Sequence, residues 1–222
     1  MFNAIAFRYD FLNRFLTAGI DVRWRKKAIM LLKDVHPQIM LDVATGTGDV
    51  ALLSYQLLHP EKIIGIDISE GMLQLGRQKV ANAGLQDKIE LVTGDSEIIH
   101  YPNDTFDAIT VAFGVRNFEN LKKGLAEMLR VLKPGGKLVV LEFSRPKNVI
   151  FRAMCSFYEN VIVPFAGKFF ARNKHAYSYL NKSAKAFPER KQFTDILQSV
   201  GYRNTFYKPL SLGICCMYSA VK

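Results

Sequence analysis

From Gln38 onward, short runs rich in β-branched residues alternate with longer stretches whose apolar positions recur every three or four residues. The runs Ile39–Ala44, Lys62–Ile68, Lys88–Asp95, Phe106–Phe113 and Gly136–Phe143 read as five buried strands. Between them, Asp49–Leu58, Ser69–Ala83 and Asn120–Leu132 read as helices, the last stopped by the turn signal Lys133-Pro134-Gly135-Gly136. Alternation of this kind predicts a doubly wound α/β domain with a mostly parallel sheet. The chain then changes character. Residues 203–208 and 214–221 are two further strand-like runs, and Pro209–Gly213 between them leaves no room for a helical crossover, so they must pair antiparallel.

Five parallel strands followed by an antiparallel hairpin depart from the usual dinucleotide-binding Rossmann domain. The plan is similar to that of the Rossmann-like class I S-adenosylmethionine methyltransferases, with a seven-stranded sheet. A chain of 222 residues, 49% hydrophobic, suits one domain over 1–222. Two segments stand outside the repeat. Residues 1 to about 37 read as a helical lid, and residues 145 to about 192, rich in aromatic and basic side chains, as an insertion facing substrate or membrane.

Composition narrows the picture further. A charged fraction of 23% excludes a disordered class. No apolar run reaches the roughly 18 to 20 residues that span a bilayer, and Arg8 and Asp10 interrupt the region where a signal-peptide core would lie. Cys155, Cys215 and Cys216 make neither a disulfide framework nor a zinc site, which fits a reducing cytoplasm and predicts no metal. The net charge of +10 favours anionic partners such as nucleic acid, anionic lipid or acidic metabolites, without choosing among them.

Chemistry concentrates where the first strand becomes the first helix, at Leu41-Asp42-Val43-Ala44-Thr45-Gly46-Thr47-Gly48-Asp49. Glycines there let the backbone turn tightly and let a ligand approach free helix N-terminal amides. Gly46-x-Gly48-x-x-Ala51 alone also satisfies the dinucleotide fingerprint. Acids at three successive strand ends carry the distinction, although the role of Asp67 is common to both cofactor classes. Asp42 places a carboxylate near the cationic amino-acid end of S-adenosyl-L-methionine and would repel a pyrophosphate. Asp67 is placed to accept two ribose hydroxyls, and Asp95 with Ser96 to read an adenine edge. The competing reading makes each acid a cap of the following helix.

Tyr9-Asp10 through Asn13, Gly19-Ile20 and Trp24, the glycine loop, Phe113-Gly114-Val115-Arg116-Asn117, and Arg130 to Gly136 leading into Leu141–Ser144 together resemble the ubiquinone/menaquinone biosynthesis C-methyltransferases. The likeness covers nearly the whole chain. It implies methyl transfer to a ring carbon of a polyprenylated quinol, with demethylmenaquinol first and a methoxy-polyprenyl-benzoquinol second. It places Thr47, Asp67, Asp95 and Ser96 on cofactor positions. Members often carry His-Arg where this chain has Asp21-Val22, and a serine where Ala112 stands.

Such chemistry requires a quinol anion and an in-line approach to the methyl group. Arg116 is the candidate to stabilise phenolate charge, with Asn117 beside it and Tyr9 to orient the quinol or relay its proton. An ion pair with Glu119 or Glu142 is the alternative reading of Arg116. His100 and His175 fit no motif and read as surface residues. Between Lys168 and Lys191, seven Lys or Arg face one acid, Glu189, amid five aromatics. That stretch suits an anionic lipid interface at the inner face of the membrane, with a solvated basic helix or an RNA-binding surface as competing readings. The quinol reading expects no nucleic acid, and it leaves room for a homodimer.

Overall fold

The computed structural model describes residue 17, residues 19–148 and residues 187–222. The predicted alternation is realised as helix α1 (Ile20–Ile29), a 3-10 turn (Met30–Val35), β1 (Ile39–Val43), α2 (Asp49–Leu58), β2 (Lys62–Asp67) and α3 (Glu70–Asn82). There follow β3 (Ile89–Thr93), β4 (Phe106–Ala112), α4 (Leu121–Val131), β5 (Leu132–Phe143), α5 (Lys191–Val200), β6 (Arg203–Leu210) and β7 (Cys215–Val221). The strands form one seven-stranded sheet in the order β3-β2-β1-β4-β5-β7-β6. The first five run parallel, and β7 is antiparallel to both of its neighbours.

Strand alternation sorts the apolar side chains into two layers. Leu41, Ile64, Ile109, Leu138 and Val140 pack with Leu125 and Met128 of α4 and Phe193 and Leu197 of α5. Met40, Ile63, Ala108, Val139 and Leu141 pack on the other face with Trp24 and Ala28 of α1, Ala51 of α2 and Leu73 and Val80 of α3. Both faces of the sheet are therefore covered. Trp24 also ties α1 to the β6–β7 turn, its Nε1–H donating to Ser211 Oγ at 2.8 Å. No helix among the described residues is long and apolar enough to cross a membrane.

Local chemistry explains the helix ends. Asn120 caps α4, its side chain accepting from the Lys123 amide at 3.1 Å. The turn expected after α4 is instead built into β5. Phe106 pairs with Leu132 and Ala108 with Lys137, so two steps on β4 face five on β5 and Lys133–Gly136 bulges outward. Asp107 holds the bulge, accepting from Lys133 Nζ at 2.6 Å. Helix α5 was not anticipated by the strand–helix alternation, and it fills the α4 face with Phe193 and Leu197.

Candidate active site

A cavity of about 260 Å³ opens at the carboxyl ends of β1, β2 and β4. The glycine loop forms its floor. Gly46 (φ 57°) and Gly48 (φ 76°) both hold left-handed backbone, which turns the chain sharply from β1 into α2. Asp42, Gly46, Thr47, Asp67, Asp95, Ser96 and Asn117 all line the cavity. Gly48 and Arg116 do not line it; a Cβ at Gly48 would lie 3.2 Å from the Leu91 side chain. Tyr9 and His175 lie outside the described residues.

Asp42 is buried beneath the loop, accepting from Thr45 Oγ1 and Thr110 Oγ1 at 2.6 Å each. Thr110 is its cross-strand partner on β4. Both donors are neutral, so burial dominates and pushes the carboxyl up to about 6. Asp67 accepts the amide of Gly46 through Oδ2 and that of Ser69 through Oδ1, at 2.8 Å each. It thus fixes the glycine loop, while each oxygen keeps lone-pair capacity toward the cavity. Burial raises its carboxyl as well, against these two amides. Asp95 accepts the Glu97 amide at 2.9 Å within a tight turn, with no helix following for it to cap, and it also lines the cavity. Thr47 Oγ1 accepts from Lys79 Nζ at 2.9 Å.

For Arg116 the structure makes the ion pair weighed as the alternative. Its Nη1 donates to Glu142 Oε1, the pair being almost wholly enclosed, with side-chain exposures of 4% and 0%. Glu142 Oε1 also accepts the Phe143 amide at 2.9 Å, and the guanidinium lies 5.5 Å from the Phe143 ring centre. Arg116 Nε has no hydrogen-bond partner among the described residues. Neighbouring Asn117 belongs to the same 3-10 turn, and its Oδ1 is buried without a hydrogen-bond partner among the described residues.

Two wall residues, Phe113 and Arg25, have places in the site that the sequence reading does not assign them. Phe113 holds a left-handed backbone at φ 59°, an outlier for a bulky side chain, and stacks on Phe143 at 4.6 Å between ring centres. Arg25 reaches across from α1, 5.7 Å from the Phe113 ring centre, and pairs with Asp21 and Asp49. Its only sequence signal was its place beside Trp24. Six carboxylates line the cavity (Asp42, Asp49, Asp67, Asp95, Glu97 and Glu119), and among the described lining residues Arg25 is the one Lys or Arg. Such a wall suits a cationic ligand and disfavours a pyrophosphate.

Comparison with known proteins agrees with this architecture. A solved methyltransferase from Thermotoga maritima, described as a possible histamine N-methyltransferase, matches with a TM-score of 0.69 at 18% identity, covering 100% of this chain and 97% of that one. An Aquifex aeolicus SAM-dependent methyltransferase matches with a TM-score of 0.61 at 20% identity, covering 82% of this chain and 81% of its own. At these identities they speak for the fold alone. The demethylmenaquinone methyltransferase of Bacteroides fragilis is 47% identical over 222 residues, covering 100% of this chain and 91% of its own. The ubiquinone/menaquinone biosynthesis C-methyltransferase of Geobacter sulfurreducens is 45% identical, over 100% of this chain and 87% of its own length. The model of the ubiE/COQ5 methyltransferase family matches residues 1–222, and the chain belongs to that family.

Proposed function

We propose that this chain transfers a methyl group from S-adenosyl-L-methionine to a ring carbon of demethylmenaquinol. The observation that carries the reading is the acid-lined cavity at the glycine loop, in a chain 47% identical to a demethylmenaquinone methyltransferase. The cofactor supplies the electrophilic methyl group, and the residues present suit it. Asp67 would hold the ribose hydroxyls, Asp95 and Ser96 the adenine edge, and Asp42, with the Gly46–Gly48 loop and Thr47, the amino-acid end. Asn117 offers the unpartnered acceptor Oδ1 to a ligand donor.

Because Glu142 occupies one arm of its guanidinium and the side chain does not line the cavity, Arg116 acts as a positioning residue that fixes the turn carrying Asn117, in place of a direct contact to phenolate charge. Tyr9 is assigned the orienting or proton-relay role by resemblance. From the sequence, residues 1 to about 37 are assigned the role of a lid and residues 145 to about 192 that of a wall meeting the membrane and the polyprenyl tail; residues 1–16, 18 and 149–186 of these stretches lie outside the described residues. The enzyme works in the cytoplasm at the inner membrane face, and a homodimer is compatible with this arrangement. The benzoquinol of ubiquinone synthesis is the second acceptor, since the Geobacter sulfurreducens relative is named for both quinones.

The test is transfer of labelled methyl to a short-chain demethylmenaquinol and, in parallel, a methoxy-polyprenyl-benzoquinol, with RNA as a control acceptor. Product on the naphthoquinol alone is expected. Labelled RNA with no quinol product would overturn the reading.

A further inference from the structure

We propose that Arg25 recognises the carboxylate of the cofactor's amino-acid end, a role that rests on the S-adenosyl-L-methionine reading. That end of the molecule is a zwitterion, an ammonium beside a carboxylate, next to a cationic sulfur. Six acids on the cavity wall can answer the two positive centres, but the carboxylate needs a cation, and Arg25 is the one Lys or Arg among the described lining residues. The guanidinium is well placed and nearly enclosed, its side chain 11% exposed. It sits against Asp49, the first residue of α2, so an anion near it also meets the positive end of that helix.

Arg25 retains capacity for a further partner. Its Nη1 serves Asp21 at 3.0 Å and Asp49 at 3.3 Å, whereas its Nε–H is buried with no hydrogen-bond acceptor among the described residues. A buried guanidinium N–H left unmatched is rare, because leaving it so costs as much as a lost hydrogen bond. Both acids hold the guanidinium in place through that one nitrogen. The same residue is fixed on its face by Phe113, 5.7 Å away, so a ligand meets an already oriented fork. Asp42 is one of the six acids lining the same cavity, so the pocket offers both an acid and a base to the two ends of an amino acid.

Isothermal titration calorimetry with two probes tests the assignment: S-adenosylhomocysteine, and its decarboxylated analogue, which keeps the amine. The wild type is expected to bind the decarboxylated probe about 10- to 100-fold more weakly. Arg25→Met is expected to lose a similar factor for S-adenosylhomocysteine while holding the decarboxylated probe within about twofold, and Arg25→Lys to recover part of the loss. Equal losses for both probes would mean a structural role and overturn the proposal. So would equal binding of both probes by the wild type, a comparison that stands even if Arg25→Met fails to fold. No binding of S-adenosylhomocysteine by the wild type would instead break the cofactor reading itself.

Discussion

Two carboxylates near the carboxyl edge of the sheet show how one functional group serves opposite ends. Among the described residues Asp42 on β1 accepts hydrogen bonds from the hydroxyls of Thr45 and Thr110, both neutral, whereas Glu142 on β5 is met by the Arg116 guanidinium and by the Phe143 amide. Both are buried. The first stands in a cavity wall without a direct ion pair among the described residues, and the second is neutralised inside the protein. Polar pairing completed by protein groups holds structure, and pairing left incomplete beside a cavity is capacity for a ligand.

The strongest way to test that contrast is to break the completed pair. Glu142→Ala strands the Arg116 charge in the interior, with an expected cost of about 3–5 kcal/mol in urea unfolding. A loss below about 1 kcal/mol would mean that the pair is not closed as described. Removing the other kind of acid should act on binding. Asp67→Ala is expected to weaken S-adenosylhomocysteine by about 100-fold or more in calorimetry, through lost ribose contacts and a loosened Gly46 loop. Unchanged affinity would remove Asp67 from the site.

Where the two halves touch, a Cβ on Gly114 would fall 2.4 Å from Ala44 Cβ. Gly114→Ala is therefore expected to cost about 1–3 kcal/mol, read as a lowered melting temperature. A neutral result would show that the two loops move apart easily.

The smallest effect is a pH dependence. With its carboxyl at about 6, folded Asp42 still binds a proton that the unfolded chain releases near 4. Stability should fall as pH rises from about 4 to about 6 and level off above, relative to Asp42→Asn. Affinity for the cationic cofactor should move the other way, tightening as Asp42 ionises through that range. Parallel wild-type and Asp42→Asn profiles would deny the carboxylate both roles.

Much of this could be read from the chain. The three crossover helices and all seven strands followed from periodicity and turn residues, and the acids at the ends of β1, β2 and after β3 followed from their places in that pattern. What could not be read depends on contacts remote in sequence. Arg25 meets Asp49 24 residues away, and Lys79 meets Thr47 across 32. The Lys133–Gly136 bulge looks like a turn locally, and only its pairing with β4 makes it part of a strand. Helix α5 carries Phe193, Ile196, Leu197 and Val200 at helical spacing, but that pattern sits just past the basic aromatic stretch that drew the reading.

The position of β7 between β5 and β6 also sets an order of events in folding. β6 is synthesised before the strand it pairs with, and the apolar edge of β5 stays open until Cys215–Val221 arrives to close both sides. During that interval the nearly complete sheet offers a long, sticky template to other chains. β6, with Arg203, Lys208 and Pro209 among its mostly exposed residues, is poorly suited to self-association while it waits.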